Sequence, residues 1–471
     1  MRPKVHGKSR FAPDVLSAIA GLLLAGALGT NAEAALKKLH NFAPCGGDVC
    51  RDGSAPVGGL VRDASGNYFG TTYEGGAHAA GTVFELSPDG NGGYTYKTIY
   101  DFCAEANCED GANPHSTMII DVNGALYGTT HAGGEGGVAF RLSPTANGWE
   151  LVTIHRFCEL DSPTPDGDCM GGSNAVGGVT YAGAASGAPY DGVSPLYGAS
   201  AEGGEGEAGI IYELRPPRNL AKEEWRAKEL YVFCAPAGAA RERKARPGPH
   251  EEDGNCDDGK MPSGNLIVNG NGDLFGTTYY GGEDAYFPGG GGVVFELSKR
   301  GTAWTETVLY KFCSVAKCRD GRSPAGGLLI DATGNLFGAA QYGGKSCGMQ
   351  QNCGVAFTIS PNGAQSVSRV LHDFCTADGC ADGALPQGAL EMDSFGNLYG
   401  AAFVGGANKG GVIYQLRTDG QLKVLHSFCA EAKCADGQSP ASVILDETGN
   451  LFGVATGGGN KGGGTVFKLT R

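Results

Sequence analysis

The sequence is poor in positive charge and lacks the short motifs of common enzymes. Lys and Arg number 36 against 50 Asp and Glu, which gives a net charge of −14 at pH 7. A surplus of negative charge opposes binding to nucleic acid and to anionic membrane surfaces. No G-x-S-x-G, H-E-x-x-H, P-loop or dinucleotide-binding sequence occurs with the strands and helices it would need. We therefore expect no nucleic-acid partner, and no motif indicates a catalytic residue or a cofactor.

Long apolar runs are also scarce, and the clearest one lies near the N-terminus. VLSAIAGLLLAGALG (15–29) follows a basic segment and precedes Ala32-Glu33-Ala34, a small-x-small cleavage signature. The run is too short to span a bilayer well. We predict a secretory signal peptide over residues 1–34, with an uncleaved anchor as the alternative. The remaining chain is then periplasmic or extracellular, without membrane insertion.

Glycine is abundant, with 82 residues, and it punctuates a repeat. Three short phrases recur in a fixed order, seven times each. The first is a strand-like segment that ends in Phe: 36–42, 96–102, 151–157, 228–233, 307–312, 369–374 and 423–428. The second is typified by LFGTT: 68–72, 126–130, 196–200, 274–278, 336–340, 398–402 and 451–455. The third is typified by GVVFELS: 81–87, 137–143, 209–215, 292–298, 354–360, 411–417 and 464–470.

A fourth segment, as in GGLVRDASGN (58–67), carries an Asp-x-x-Gly turn between two apolar runs. Each repeat therefore predicts four short strands, and seven such repeats predict an all-β, seven-bladed β-propeller over residues 35–471. Residues 36–42 stand alone at the start, whereas the last repeat stops after its third strand. The first strand would complete the last blade and close the ring. A parallel β-helix is the alternative fold.

The repeats resemble the GloVer-type tandem-repeat family of secreted bacterial proteins. The resemblance rests on D-x-x-G-N-L-[FY]-G, followed by Gly-Gly and G-x-[VI]-[FY]-x-L, and it extends over residues 36–471. It implies export and a repeat architecture. It supplies no catalytic residues.

The 16 Cys residues form pairs along the sequence, and seven pairs occupy one position of the repeat. These seven pairs are Cys45/Cys50, Cys103/Cys108, Cys158/Cys169, Cys234/Cys256, Cys313/Cys318, Cys375/Cys380 and Cys429/Cys434, and Cys347/Cys353 lie in a different loop. An exported chain meets an oxidising compartment, so we predict eight local disulfides. Zinc and other pairings are the alternatives, but one pair per blade lies too far from the next to share a metal ion.

A recurring Asp-Gly follows the Cys pair in six repeats and precedes a Pro, as in Asp110 and Pro114. Asp at this place would cap the tight turn that leads into the next blade. A ring of such carboxylates would alternatively bind calcium. We favour the turn cap and predict no other cofactor.

Variable positions in an invariant frame are candidates for ligand binding. The loops between the second and third strands begin at a varied residue and then read Gly-Gly. The candidate ligand face comprises Tyr73, His131, Tyr279, Tyr280, Tyr286, Gln341, Tyr342 and Phe403. Aromatic and polar side chains of this kind bind sugars or peptides. Ordinary loop variation is the alternative.

The leading functional hypothesis is a non-enzymatic, monomeric binding or scaffold module for a glycan or a protein. A second hypothesis is a glycan-active hydrolase or lyase that uses Glu74, His131, Glu202 and Glu283, and a third is a purely structural envelope protein. His40, His155, His372 and His426 share a slot with Tyr residues of other repeats, which indicates a structural role. His78, His115 and His131 would meet in the first two blades, as a metal or general-base site.

Overall fold

The chain forms seven antiparallel β-sheets. The computed structural model describes residues 34–45, 50–158, 169, 171–217, 225–235, 256–282, 289–301, 303–345, 353–361 and 366–471. Ala34–Arg471 form one compact unit. Within these ranges the strands are joined by turns and short 3₁₀ segments, and no α-helix occurs.

Each blade runs from an inner strand at the axis to an outer strand at the rim. The closing strand is β1 (Ala35–Asn41). The first blade contains β2 (Val61–Arg62), β3 (Tyr68–Thr72), β4 (Thr82–Pro88) and β5 (Tyr94–Asp101). The second contains β6 (Ala112–Pro114), β7 (Ile119–Ile120), β8 (Leu126–Ala132), β9 (Val138–Thr145) and β10 (Gly148–Arg156). The third contains β11 (Thr180–Tyr181), β12 (Leu196–Ser200), β13 (Ile210–Arg215) and β14 (Arg226–Val232).

The remaining blades repeat the pattern. The fourth contains β15 (Lys260–Val268), β16 (Leu274–Tyr280), β17 (Val293–Arg300) and β18 (Ala303–Lys311). The fifth contains β19 (Arg322–Pro324), β20 (Leu329–Ile330), β21 (Leu336–Tyr342), β22 (Val355–Ser360) and β23 (Val367–Asp373). The sixth contains β24 (Ala384–Met392), β25 (Leu398–Val404), β26 (Val412–Leu416) and β27 (Leu422–Ser427). The seventh contains β28 (Gln438–Leu445), β29 (Leu451–Gly457) and β30 (Thr465–Thr470).

The chain closes its own ring. The seventh sheet has the order β1-β30-β29-β28, with Ala35 opposite Thr470 and Asn41 opposite Thr465. The first strand therefore supplies the outer strand of the last blade, which leaves no open blade between the two ends of the array. The predicted seven-bladed propeller with this closure is confirmed.

The recurring Gly of the second strand is explained by packing inside each blade. A Cβ on Gly70 would lie 2.5 Å from Cζ of Phe84, and a Cβ on Gly338 would lie 2.6 Å from Cζ of Phe357. Each Phe belongs to the third strand of the same blade and is buried. The two phrases LFG and G-x-[VI]-[FY] thus pack against each other. The aromatic ring of the third strand occupies the space that the missing side chain of the second-strand Gly leaves free.

The Asp-x-x-Gly segment forms the predicted hairpin. Asp63 Oδ1 accepts hydrogen bonds from the Ser65 and Asn67 N–H groups at 2.9 and 2.8 Å. Gly66 has φ +85°, in the left-handed region that favours glycine. We call the side of the ring with these hairpins the hairpin face. The corners between blades and the Gly-Gly loops lie on the other side, which we call the loop face.

Candidate binding face

Disulfides fix the corners of the loop face. Seven predicted pairs are bonded: Cys45–Cys50, Cys103–Cys108, Cys158–Cys169, Cys234–Cys256, Cys313–Cys318, Cys375–Cys380 and Cys429–Cys434. Each bonded pair closes a loop within one corner, so the cross-links brace the crossings from blade to blade. Seven disulfides indicate a non-cytoplasmic environment.

The eighth predicted pair, Cys347 with Cys353, differs from the other seven because only one of its members lies in the described residues. Cys353 lies just before β22, is buried and is disulfide-bonded. Its carbonyl oxygen accepts a hydrogen bond from the Leu385 N–H of the sixth blade at 2.9 Å. Cys347 lies outside the described residues. The bonded state of Cys353 is therefore shown, whereas its pairing with Cys347 stays a prediction.

The Gly-Gly loops are fastened to these corners through the backbone. In six blades the N–H of the second Gly donates to the carbonyl oxygen of the second Cys. The bonds are Gly76 to Cys50, Gly204 to Cys169, Gly282 to Cys256, Gly344 to Cys318, Gly406 to Cys380 and Gly459 to Cys434, at 2.8–3.1 Å. The Gly-Gly pair therefore has a structural role that the blades share, whereas the residues on either side of it differ from blade to blade.

The corner Asp caps the turn, as the sequence favoured. The Asp110 carboxylate accepts hydrogen bonds from the Tyr100 hydroxyl at 2.8 Å and from the Ala104 and Glu105 N–H groups at 3.0 and 3.1 Å. Asp110 is fully buried. Its oxygens are thus engaged by protein donors, and calcium binding at the corners stays a prediction.

The slot shared by His and Tyr serves the same corner. The imidazole Nε2 atoms of three His residues lie within hydrogen-bond distance of a corner carboxylate. The pairs are His40 with Asp52 at 2.9 Å, His372 with Asp382 at 3.2 Å and His426 with Asp436 at 3.1 Å. Hydrogen bonds from His372 and the Thr376 side chain help to hold the pKa of Asp382 at about 2, against desolvation. The third blade has no corner Asp, and burial lowers the pKa of His155 to about 4.

The hydrogen bonds to the corner Asp lead to a prediction about stability. Asp110→Ala leaves the Tyr100 hydroxyl and two backbone N–H groups without their acceptor. We expect the free energy of unfolding to fall by about 2 kcal/mol. Neighbouring Glu109→Ala removes an exposed carboxylate and is expected to change it by about 0.5 kcal/mol or less. Equilibrium denaturation of the oxidised protein measures both, and equal effects of the two substitutions would contradict the capping role.

The variable positions form a ring at the end of the second strands. Tyr73, His131, Tyr279, Gln341, Phe403 and Thr456 are half-buried, and Ala201 is buried. Glu74 and Glu202 follow them on the first and third blades, bridged to Ser54 and Ser173. Tyr286 and Glu283 lie outside the described residues. The described candidates thus lie around the axis on different blades, with Tyr279 and Tyr280 on one blade and Gln341 and Tyr342 on the next.

Three tyrosines of the fourth and fifth blades gather into one patch, which we call the tyrosine cluster (Tyr279, Tyr280, Gln341 and Tyr342). The rings of Tyr279 and Tyr280 meet edge to face with centroids 4.8 Å apart. The Tyr279 hydroxyl donates to Oε1 of Gln341 at 3.2 Å. Desolvation, then a hydrogen bond with Tyr342, raises the pKa of Tyr279. The cluster offers half-buried aromatic rings together with hydroxyl and amide groups, the combination that stacks on sugars and hydrogen-bonds to their hydroxyls.

Two cations flank the tyrosine cluster, and the sequence analysis missed them. Lys260 lies opposite Tyr280 across β15 and β16, and Arg322 lies opposite Tyr342 across β19 and β21. The Arg322 guanidinium lies 4.5 Å from the centroid of the Tyr342 ring. The position two residues before the corner Pro carries a cation only in these two repeats. Variation at that position is the sequence signal for the two cations, although the neighbouring Asp-Gly and Pro serve the corner itself.

A second patch lies on the first two blades, which we call the histidine cluster (Tyr73, His115 and His131). The Tyr73 ring lies 6.1 Å from His115 and 6.3 Å from His131, between centroids. His115 is exposed. Desolvation first, and His131 second, lower the pKa of His115 below its ordinary value of 6.5. His78 is exposed on the Gly-Gly loop, so the structure brings together two of the three predicted His residues.

No group of three or more His, Cys, Asp or Glu side chains in the described residues is arranged to hold a metal ion. In the same part of the chain, no helix has the length and apolar character that crossing a membrane requires.

Comparison with known proteins places the repeats in a family. The family model described as the Gloeobacter/Verrucomicrobia repeat matches residues 27–190 and 346–471, more than half of the chain. No curated protein matches in sequence.

Solved structures are similar only at low identity. A polysaccharide lyase, Uly1, is 13% identical, with 92% of each chain covered and a TM-score of 0.49. A candidate 6-phosphogluconolactonase from Bacteroides uniformis is 12% identical, with 82% of this chain and 86% of that chain covered and a TM-score of 0.44. A candidate glucose dehydrogenase from Thermus thermophilus is 14% identical, with 93% and 99% covered and a TM-score of 0.39. These likenesses carry no inference about function.

Proposed function

The chain belongs to the Gloeobacter/Verrucomicrobia repeat family, and from its loop face we propose that it is an exported binding module whose ligand is a glycan. The observation that carries the proposal is the tyrosine cluster. Tyr279, Tyr280 and Tyr342 present half-buried rings beside the Gln341 amide, on a frame that disulfides hold rigid. A rigid aromatic surface binds with little loss of conformational freedom.

A glycan array with the purified, oxidised protein tests this proposal. We expect binding to at least one glycan, and we expect Tyr342→Ala or Tyr279→Ala to weaken it by about tenfold or more, as for loss of a stacking partner. The matched control is Phe395→Ser. Phe395 is 90% exposed on the hairpin face, so its removal changes surface hydrophobicity without touching the cluster.

Two outcomes would redirect the assignment. Binding that survives both tyrosine substitutions would place the ligand elsewhere on the ring. The absence of any glycan ligand would favour a protein partner or a purely structural role in the envelope, and cross-linking in the native host would then identify neighbours.

The histidine cluster favours a second candidate function, which is cleavage of the bound glycan. Desolvation, then His131, lowers the pKa of His115, which favours the neutral imidazole that accepts a proton. The Tyr73 ring, whose centroid lies 6.1 Å from that of His115, carries a hydroxyl that is able to donate one. Mass spectrometry of a bound glycan after incubation separates binding from turnover. Shortened products that disappear in His115→Ala would support cleavage, and an intact glycan would exclude it for that ligand.

Export through residues 1–34 is part of the proposal. The supporting observations are the charge and hydropathy pattern of that segment and the seven corner disulfides of the propeller. N-terminal sequencing of the protein recovered from the native host would give Ala35 as the first residue if cleavage follows Ala34.

A further inference from the structure

The Gly-Gly loops of the first three blades give the loop face an acidic side. These loops span residues 73–81, 131–137 and 201–209, and they contain no Lys or Arg. Their carboxylates belong to five exposed residues: Glu74, Glu135, Glu202, Glu205 and Glu207. Three adjacent blades thus present negative charge that no cation of the same loops balances.

The Gly-Gly loops of the last three blades give the same face a basic side. They span residues 341–354, 403–411 and 456–464 and contain no Asp or Glu. Their cations belong to three exposed residues: Lys345, Lys409 and Lys461. Lys345 Nζ lies 3.7 Å from Asp373 and Lys461 Nζ lies 3.8 Å from Asp52, yet these Lys side chains are 72% and 54% exposed. The corners beside these loops carry exposed charges of both signs, such as Asp378 and Lys433, so the division belongs to the Gly-Gly loops.

The order of the charged loops around the ring is self-complementary. A two-fold axis that brings two copies together by their loop faces reverses the blade order of one copy relative to the other. With the axis over the fourth blade, the first blade faces the seventh, the second faces the sixth and the third faces the fifth. Each acidic loop then meets a basic loop, as Glu135 meets Lys409. The fourth blade, whose Glu283 and Asp284 lie outside the described residues, faces its own copy.

Aromatic side chains complete the composition of an interface. Tyr73, Tyr279, Tyr342 and Phe403 are half-buried at the end of the second strands, and the charged loop residues follow them along the chain. Protein interfaces are typically enriched in aromatic residues at their core and polar at their rim. Complementary charges orient the two partners and speed their encounter, while burial of the rings contributes affinity.

From this arrangement we infer that the loop face is the interface of a two-fold symmetric homodimer, with the acidic side of each copy against the basic side of the other. A dimer departs from the monomer expected from the sequence. The inference goes beyond the proposed function and does not depend on it. If the tyrosine cluster also binds a glycan, the glycan and the second copy exclude each other.

The oligomeric state at two salt concentrations provides the first test. Sedimentation velocity of the purified, oxidised protein is measured over a series of protein concentrations, at about 0.1 M and about 1 M salt. Charges are screened beyond about 10 Å in the first condition and about 3 Å in the second. We expect a dimer whose dissociation constant rises about tenfold or more at high salt. A monomer at every concentration in low salt, or a dimer that salt does not weaken, would overturn the inference.

A charge exchange between the second and sixth blades locates the interface. Lys409→Glu places like charges opposite each other at both ends of the two-fold axis, and we expect it to weaken the dimer about tenfold or more. The fold accepts Glu at this place. The Glu207 N–H donates to the Gly204 carbonyl as the Lys409 N–H does to Gly406, and both residues have positive φ, at 48° and 62°.

Restoration of the dimer is the decisive outcome. The double variant Glu135→Lys with Lys409→Glu again opposes unlike charges, and we expect it to dimerise like the parent protein. A misfolded single variant would not be rescued in this way. Lys423→Glu is the matched control, because Lys423 is an exposed cation on the outer strand of the sixth blade, away from the loop face. A double variant that stays monomeric, or a control that weakens the dimer equally, would overturn the proposed pairing of the blades.

Discussion

Replacement of Phe42 by Ala is expected to lower the free energy of unfolding by about 3–5 kcal/mol, among the largest effects of a single apolar truncation. Phe42 directly follows the closing strand β1 and is fully buried. Its ring lies 5.6 Å from Phe84 and 5.8 Å from Tyr96 of the first blade, between centroids. The side chain therefore joins the seventh blade to the first, and its loss leaves a cavity at the seam of the ring.

Phe102 offers the matched control, because it directly follows the outer strand of the first blade, as Phe42 follows β1, and is equally buried. Phe102→Ala should cost a similar free energy but should leave β1 protected. Amide hydrogen exchange distinguishes the two. We expect faster exchange over Ala35–Asn41 in Phe42→Ala alone. A loss below about 1 kcal/mol for Phe42→Ala would contradict the role of this residue in closure.

Replacement of Glu391 by Ile is expected to stabilise the protein by about 3 kcal/mol above pH 7. Glu391 lies opposite Tyr399 on the inner strand of the sixth blade. The corresponding positions of five other blades hold Val61, Ile119, Ile267, Leu329 and Ile444, and the third blade has Thr180. Burial raises the pKa of Glu391 from 4.5 to about 7. The shift corresponds to about 3 kcal/mol that ionisation costs the folded state.

The sign of the pH dependence follows from where the proton binds. Between pH 4.5 and about 7 the folded protein keeps the Glu391 proton and the unfolded chain releases it. Stability contributed by this group therefore falls as pH rises through that window, and it is constant above. The gain from Ile should be smallest below pH 4.5 and largest above pH 7. Glu391→Gln is the control, since it removes the titration and keeps the shape. A gain independent of pH would show that the carboxyl group does not ionise as expected.

The architecture was predictable because the same strand phrases recur in seven repeats of the sequence. One β-strand pattern of seven residues is weak evidence, but the phrases typified by LFGTT and GVVFELS each recur in all seven repeats, and Asp-x-x-Gly recurs in five of them. Closure was predictable for the same reason: a lone outer strand at one end matches a missing one at the other. The structure adds why the residues recur, as in the fit of Gly70 under Phe84.

The site was only partly predictable because its residues come from different strands. Tyr279 and Tyr342 were visible as variable loop residues. Arg322 belongs to a corner that otherwise serves the frame, and only the register of β19 on β21 shows that it lies opposite Tyr342. The contact of Tyr73 with His115, in contrast, joins the first blade to the second. Contacts of this kind depend on how neighbouring blades are placed, and repetition within the sequence does not encode that placement.

The disulfides also have a mechanical consequence. Each of the seven corner disulfides is confined to a single corner, and none of them links β1 to β30. A force that pulls residues 35 and 470 apart is therefore resisted at first by the hydrogen bonds of one antiparallel pair of strands. Once that pair separates, the blades would extend one after another. The disulfide loops span 5 residues at five corners, 11 at Cys158–Cys169 and 22 at Cys234–Cys256, and they shorten the stretched chain by those lengths. In the oxidised protein the disulfides thus oppose local opening at the corners. Under tension the ring would open first between β1 and β30.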